Sequence, residues 1–327
     1  MKYRTLGKTN WKISEISLGT WQLGGKWGSP YDEKLAEDTL RTAIDEGVNF
    51  IDTADVYKAG LSEASVGKII RNHSERIYLA TKCGRRLDPH TAQGYNRENI
   101  TRFVEESLKN TGLECLDLIQ LHCPPSEVYE KEEVYEVLED LKKDGKILHY
   151  GVSVEKVSDA LEAIRHPGLA TVQIIFNLFR LKPSEEFFPE AQKQNVGIIV
   201  RVPLASGMLT GKFDENSSFD EGDHRNFNRH GEAFDKGETF SGLNYDIGLE
   251  AVSEYQRLFG RKLLSKYALR WILMFPQVST VIPGASKVEH VRSNIQASEL
   301  PSLPSMAMEE VKEVYQSKVK PYVHHLW

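Results

Sequence analysis

The feature that most restricts the fold is an alternation that recurs through most of the chain. After residue 15, short apolar runs are separated by longer amphipathic stretches, at Ile16–Thr20, Val48–Thr53, Ile77–Lys82, Leu116–His122, Leu148–Ser153, Thr171–Phe176, Gly197–Arg201 and Val278–Ile282. Most are nearly continuous and β-branched, as expected of parallel strands buried on both faces. The stretches between them carry helical periodicity, for example Asp32–Glu46, Asn96–Thr111, Tyr129–Lys143 and Ser184–Gln194. Asp32 is placed to cap the first, and Gly47, Gly112 and Gly145 stand where helix C-termini favour a left-handed residue. Eight β–α units with short links predict an α/β fold, a parallel (β/α)8 TIM barrel. The units share no sequence period, so this is not a repeat array.

Two segments lie outside the eight units. Residues 2–15 place Leu6-Gly7-Lys8-Thr9-Asn10 between short alternating runs, which predicts a hairpin closing the barrel bottom. Residues 213–247, after the seventh strand, are polar and aperiodic; a loop that long is usually an active-site lid or a disordered insert. No domain boundary is evident, so residues 1–327 are expected to form one domain.

Composition narrows the function classes. A net charge of -6 is the wrong balance for a nucleic-acid surface. No run approaches the ~20 apolar residues that span a bilayer, and no apolar signal region opens the chain. Three cysteines without framework spacing point to reduced thiols and a cytoplasmic protein. A monomer is the default expectation, and no metal-ligand pattern stands out.

In such barrels the chemistry gathers at the C-terminal ends of the strands. Those ends supply Asp52 and Tyr57 after the second strand, Lys82 on the third and His122 on the fourth. Each alone has a commoner structural role, but four such residues converging on one mouth suit proton transfer to a carbonyl oxygen while hydride reaches carbon. A phenol has a reference pKa of about 10 and is a poor acid at neutral pH. A neighbouring ammonium lowers it, so Lys82 is expected to bring Tyr57 toward the working pH. Asp52 would keep Lys82 charged, and His122 would position the carbonyl.

At this point the chain closely resembles the aldo-keto reductase family. Asn49-Phe50-Ile51-Asp52-Thr53-Ala54-Asp55-Val56-Tyr57 is similar to the family's Asp-Thr-Ala-x-x-Tyr segment. Leu79-Ala80-Thr81-Lys82, Asp117 to His122, Gly151-Val152-Ser153, Val172-Gln173, Pro203 to Lys212 and Ile282 to Ser286 follow in order. The resemblance implies a tetrad of Asp52, Tyr57, Lys82 and His122, with Tyr57 as general acid. It also implies that Ser153 and Gln173 bind the nicotinamide carboxamide, and that Thr20, Trp21 and Asp52 line the nicotinamide end. The loop of Pro203, Leu204, Ser206, Gly207 and Lys212 would wrap the pyrophosphate. Gly284, Ser286, Lys287, His290 and Asn294 would hold the adenosine half. Ser286 and Lys287 offer charge-assisted donors to a 2′-phosphate, which favours NADP(H) over NAD(H); Arg292 is expected to be a solvated helix charge. No Gly-x-Gly-x-x-Gly follows a strand, so the Rossmann fingerprint is absent.

Three positions depart from the family pattern. Val154 replaces an asparagine commonly found after the serine. Arg201 stands where many members stack an aromatic on the nicotinamide, which a guanidinium can also do. His290 replaces a glutamine or arginine near the adenine ribose. Trp21, Trp27, Phe227 and Phe234 are candidates to line an apolar substrate pocket, while Cys83 and Cys123 are expected to be small buried residues beside the mouth. The leading expectation is therefore a reductase of an aldehyde, ketone or sugar carbonyl. The rivals are a cofactor-binding regulatory or sensing subunit with little turnover, and a cofactor-free barrel lyase or isomerase.

Overall fold

The computed structural model describes residues 1–25 and 29–327; Trp27 lies outside them. A short antiparallel hairpin, β1 (Tyr3–Thr5) and β2 (Lys12–Ser14), precedes the strands β3 (Leu18–Gly19), β4 (Phe50–Asp52), β5 (Tyr78–Cys83), β6 (Leu116–His122), β7 (Ile147–Ser153), β8 (Thr171–Ile175), β9 (Gly197–Arg201) and β10 (Val278–Val281). Among the described residues β3 to β10 form one eight-stranded parallel sheet in sequence order. The sheet closes on itself. Ile16 and Gly19 bridge Val281 and Gly284, and the Ser17 N–H donates to the Val281 carbonyl at 2.9 Å.

The strand period of two decides what faces inward. Phe50, Ala80, Leu118, Ile199 and Ile282 meet Leu6 and Ile13 of the hairpin in a small apolar cluster inside the barrel. Two residues further along β4, β5, β6 and β9 the same inward face carries Asp52, Lys82, Gln120 and Arg201. Their neighbours Ile51, Leu79, Ile119 and Val200 point outward into the large core shared with the helices. The barrel bottom is thus an apolar plug and the top a polar floor, which is the expected role of the hairpin.

The surrounding helices are α1 (Glu33–Asp45), α2 (Leu61–Arg71), α3 (Arg97–Thr111), α4 (Glu132–Lys143), α5 (Val157–Ala163), α6 (Phe187–Lys193), α7 (His224–Phe227), α8 (Tyr245–Phe259), α9 (Leu264–Leu273), α10 (Val288–Ile295) and α11 (Ser305–Val314). Asp32 caps α1 by accepting from the Leu35 N–H at 2.9 Å. Gly112 ends α3 in the left-handed region, at φ 65°. Two helices are shorter than the periodicity predicts: α4 begins at Glu132 rather than Tyr129, and α6 at Phe187 rather than Ser184. Residues 213–247 are not featureless. They contain α7 and tight turns at Lys236–Glu238 and Phe240–Gly242, with Asn228 accepting from the Ala233 and Phe234 N–H groups at 2.8 Å. No helix among the described residues is long and apolar enough to cross a membrane.

Candidate active site

The polar floor is organised by Lys82. Its ammonium lies 2.5 Å from Asp52 Oδ1, donates to the Thr53 carbonyl at 2.8 Å and reaches the Tyr57 hydroxyl at 3.3 Å. Asp52 and Lys82 are almost wholly buried, at 2% and 1% exposure. A buried charge of this kind persists only when paired and hydrogen-bonded. The other Asp52 oxygen accepts from Gln173 Nε2 at 2.8 Å and Gln120 Nε2 at 3.2 Å, so the carboxylate is fixed from three strands.

Tyr57 lies just beyond β4, in a turn that brings Lys58 and Ala59 to positive φ. Its ring stands edge-on to His122 at 6.1 Å and parallel to Trp21 at 6.3 Å. Burial pushes the Tyr57 phenol above its ordinary pKa, and the Lys82 ammonium, pulling the other way, does not offset it. Lys82 acts on the phenol in the expected direction, through its charge and its hydrogen bond. Desolvation wins, and Tyr57 is held as the protonated phenol. Burial opposes the Lys82 charge, but Asp52 and then Tyr57 outweigh it and keep the ammonium protonated. Burial, followed by the charges of Arg85, Lys82 and Arg201, pushes His122 well below its usual value, so the imidazole is neutral. His122 Nδ1 is buried without a hydrogen-bond partner. The arrangement can hold a carbonyl oxygen beside a neutral imidazole and a phenol backed by an ammonium.

The remaining predicted residues divide into those aimed at the mouth and those already engaged. Thr20 is structural as it stands, donating to the Asp52 carbonyl and accepting from Ser62. Ser153 closes β7 and pairs in register with Gln173 in the middle of β8, and its hydroxyl lies 3.5 Å from Cys123 Sγ. In the loop after β9, which carries Pro203, Leu204 and Lys212, Ser206 and Gly207 have φ of 56° and 93°. The Ser206 hydroxyl donates to the Glu238 carbonyl at 2.7 Å. On the other side, Ser286 lies 3.3 Å from His290 Nδ1, and Asn294 donates to the Gly284 carbonyl at 3.3 Å. Burial and then the charges of Lys287 and Lys212 push His290 down, so the imidazole lies within electrostatic reach of a cation from each loop. A methyl group added at Gly284 would meet nothing nearer than 3.6 Å. That cationic, open cradle fits a phosphate-bearing dinucleotide. Arg292 turns away toward Glu46, 3.4 Å distant, and is largely exposed.

Arg201 does not present a free guanidinium. Its Nη2 binds Glu155 Oε1 at 2.7 Å and the Val154 carbonyl at 3.1 Å, and its Nη1 lies 3.6 Å from Glu238 Oε1. The same Glu238 oxygen is 3.2 Å from Arg85 Nη1. Although burial works the other way, Arg85 and Arg201 hold the Glu238 carboxyl well below its usual range. Burial pushes Glu155 up. Cys123, Glu155 and Glu238 bring ligand-type atoms within 4.8 Å of one another, and the cation among them is the Arg201 guanidinium. Sequence reasoning missed Gln120, Arg85, Glu155 and Glu238. Gln120 and Glu155 keep the inward parity of β6 and β7, which would have flagged them; Arg85 lies past β5 out of that parity and Glu238 in the aperiodic segment, so neither carried a signal.

A family model described as the Aldo/keto reductase family matches residues 15–316. The chain is 35% identical over 299 residues to the aldo-keto reductase YhdN of Bacillus subtilis, covering 88% of this chain and 86% of that protein. It is 28% identical to a probable voltage-gated potassium channel subunit beta of Arabidopsis thaliana, covering 98% of each. Among solved structures, the holo form of aldo-keto reductase AKR11C1 from Bacillus halodurans superposes with a TM-score of 0.77 at 27% identity, covering 96% of each chain. The chain belongs to the aldo-keto reductase family. Its fold is that family's (β/α)8 barrel, and its class is that of the oxidoreductases.

Proposed function

We propose that this chain is an NADP(H)-dependent reductase of an aldehyde, ketone or sugar carbonyl, with Tyr57 as the general acid. The observation that carries the reading is the Lys82 ammonium bound at once to Asp52 and the Tyr57 hydroxyl. The bound nicotinamide supplies hydride to the carbonyl carbon. Tyr57 donates its proton to the carbonyl oxygen, and Lys82 stabilises the phenolate left behind. Asp52, Gln120 and Gln173 keep Lys82 charged and oriented. Neutral His122 donates a hydrogen bond that fixes the oxygen.

Ser153 and Gln173 would hold the carboxamide, with Thr20 and Trp21 beside the ring. Pro203, Leu204, Ser206, Gly207 and Lys212 would hold the pyrophosphate, and Gly284, Ser286, Lys287, His290 and Asn294 the adenosine phosphate. Arg201 belongs to the nicotinamide end by position, but its carboxylate partners argue that it anchors the mouth rather than stacks freely. The reading takes residues 1–327 as one cytoplasmic domain, with 213–247 as its lid.

Tyr57→Phe tests the assignment. NADPH oxidation with a small aromatic aldehyde should fall by roughly 10²–10⁴-fold, the usual worth of a positioned general acid, while NADPH still quenches the protein's fluorescence. The likeness to a channel subunit favours a second reading, a cofactor-binding regulatory protein. Tight NADPH binding without turnover of aldehydes, ketones or sugars by the wild type would select it.

A further inference from the structure

We propose that Arg85, supported by Arg201, forms a receiving site for a carboxylate on the carbonyl substrate, and that Glu238 occupies this site as an internal stand-in. The inference rests on the reductase reading and adds a substrate class to it: aldehydes or ketones carrying a carboxylate across a short apolar spacer.

Five observations carry it. Both guanidiniums belong to the barrel, Arg85 just beyond β5 and Arg201 closing β9, whereas the carboxylate they share belongs to the inserted segment. Arg201 keeps a second carboxylate of its own in Glu155 at 2.7 Å. For Arg85, Glu238 is the carboxylate within ion-pair distance among the described residues. Arg201 Nε is a buried donor without a partner. The pair also stands close to the reacting groups, since the charges of Arg85 and Arg201 act on His122 and that of Glu238 acts on Tyr57.

The side chains between are aromatic, with the His224 imidazole packed against Trp21 at 5.1 Å and Phe234 at 6.3 Å. The Arg85 guanidinium lies 5.5 Å from the Phe234 ring, Phe234 meets Trp21 at 6.1 Å, and Trp21 lies parallel to Tyr57 at 6.3 Å. A substrate following this path has its carbonyl at Tyr57 and His122, an apolar body along Trp21 and Phe234, and an anion at Arg85. Arg85 is half-buried, with 22% of its side chain exposed, and leaving a partly desolvated cation unpaired is unfavourable, so withdrawal of Glu238 favours replacement by another anion over an empty site. Guanidinium and carboxylate pair by parallel hydrogen bonds, which sets the chemistry of the replacement.

The test compares 4-carboxybenzaldehyde with its neutral methyl ester, using NADPH oxidation at fixed ionic strength. Wild type is expected to favour the acid in kcat/KM by about tenfold or more, as a charge-assisted hydrogen bond allows. That ratio should fall toward one in Arg85→Gln, persist in Arg85→Lys, and rise in Glu238→Gln, which removes the internal competitor. A wild-type ratio at or below one, or one that Arg85→Gln leaves unchanged, overturns the proposal. The same ratio is read without turnover from tryptophan quenching by 4-carboxybenzyl alcohol and its methyl ester, with NADP+ present. If neither aldehyde is reduced, the reductase reading fails, and the binding ratio still decides the carboxylate site.

Discussion

Asp52 and Asp55 stand three positions apart at the end of β4 and have different fates. Asp52 is met by Lys82, Gln120 and Gln173, so each of its oxygens has a donor. Asp55 receives Arg86 on one oxygen at 2.8 Å, while its other oxygen is buried without a partner. Burial pushes the Asp55 carboxyl up to about 6, against the pull of Arg86. With the folded pKa above the unfolded one, the native state binds more protons between about 4 and 6. Asp55 therefore contributes most to stability at low pH, and that contribution is lost as pH rises through about 6. The stability of wild type relative to Asp55→Asn is expected to fall by on the order of 2 kcal/mol between pH 4.5 and 7.5, read from urea denaturation at both values; a rise over that range contradicts the assignment. At this scale the clustering of Asp52, Tyr57, Lys82 and His122 was legible because they sit at or just beyond strand ends within recognisable segments. Arg201 was legible as a departure but not in its role, because Glu238 and Arg85 come from distant segments that no local pattern links to it.

Elements were read well where one period governs them and less well where a side chain has a second task. All eight barrel strands lie at or within two residues of their predicted spans. The start of α4 was misplaced because Tyr129, which fits the helical pattern, sends its hydroxyl to the Ser153 carbonyl at 3.2 Å. The chain makes a tight turn over Ser126–Glu130 before the helix begins. A closer constraint separates α2 from α3, where a Cβ on Gly67 would lie 2.0 Å from the Thr111 carbonyl oxygen. The backbone at Thr111 has no flexible end to yield, so the helices would have to part. Gly67→Ala is expected to destabilise the protein by about 1–3 kcal/mol, as overpacking commonly does. Unchanged urea midpoint and slope would show that the two helices separate freely.

Across the whole molecule, the last described residue reaches the site. The Trp327 ring lies 4.2 Å from the Arg180 guanidinium, and a Cβ at Gly237 or Gly242 would fall within 3.0 Å of its Cζ2 atom. Arg180 in turn donates to the Glu155 carbonyl, and Glu155 holds Arg201. The tail thus props the segment bearing Glu238 and the floor beneath it. Trp327→Ala should cost about 3 kcal/mol, as loss of a large buried side chain does, and should speed tryptic cleavage at Arg229 and Lys236. Cleavage at the wild-type rate would mean that the segment holds its place without the indole.

The seam between β3 and β10 has a further consequence, for synthesis. The Ser17 N–H is satisfied by Val281, and the Val281 N–H by Glu15, so the first strand of the barrel waits for the last. While the ribosome is still making the middle of the chain, β3 presents an open edge, and Leu6 and Ile13 lack the Ile282 side chain that helps to enclose them. Contacts so far apart in sequence close slowly, and open edges invite pairing with other chains. The nascent protein is most exposed to aggregation until β10 and Ile282 emerge to close the seam.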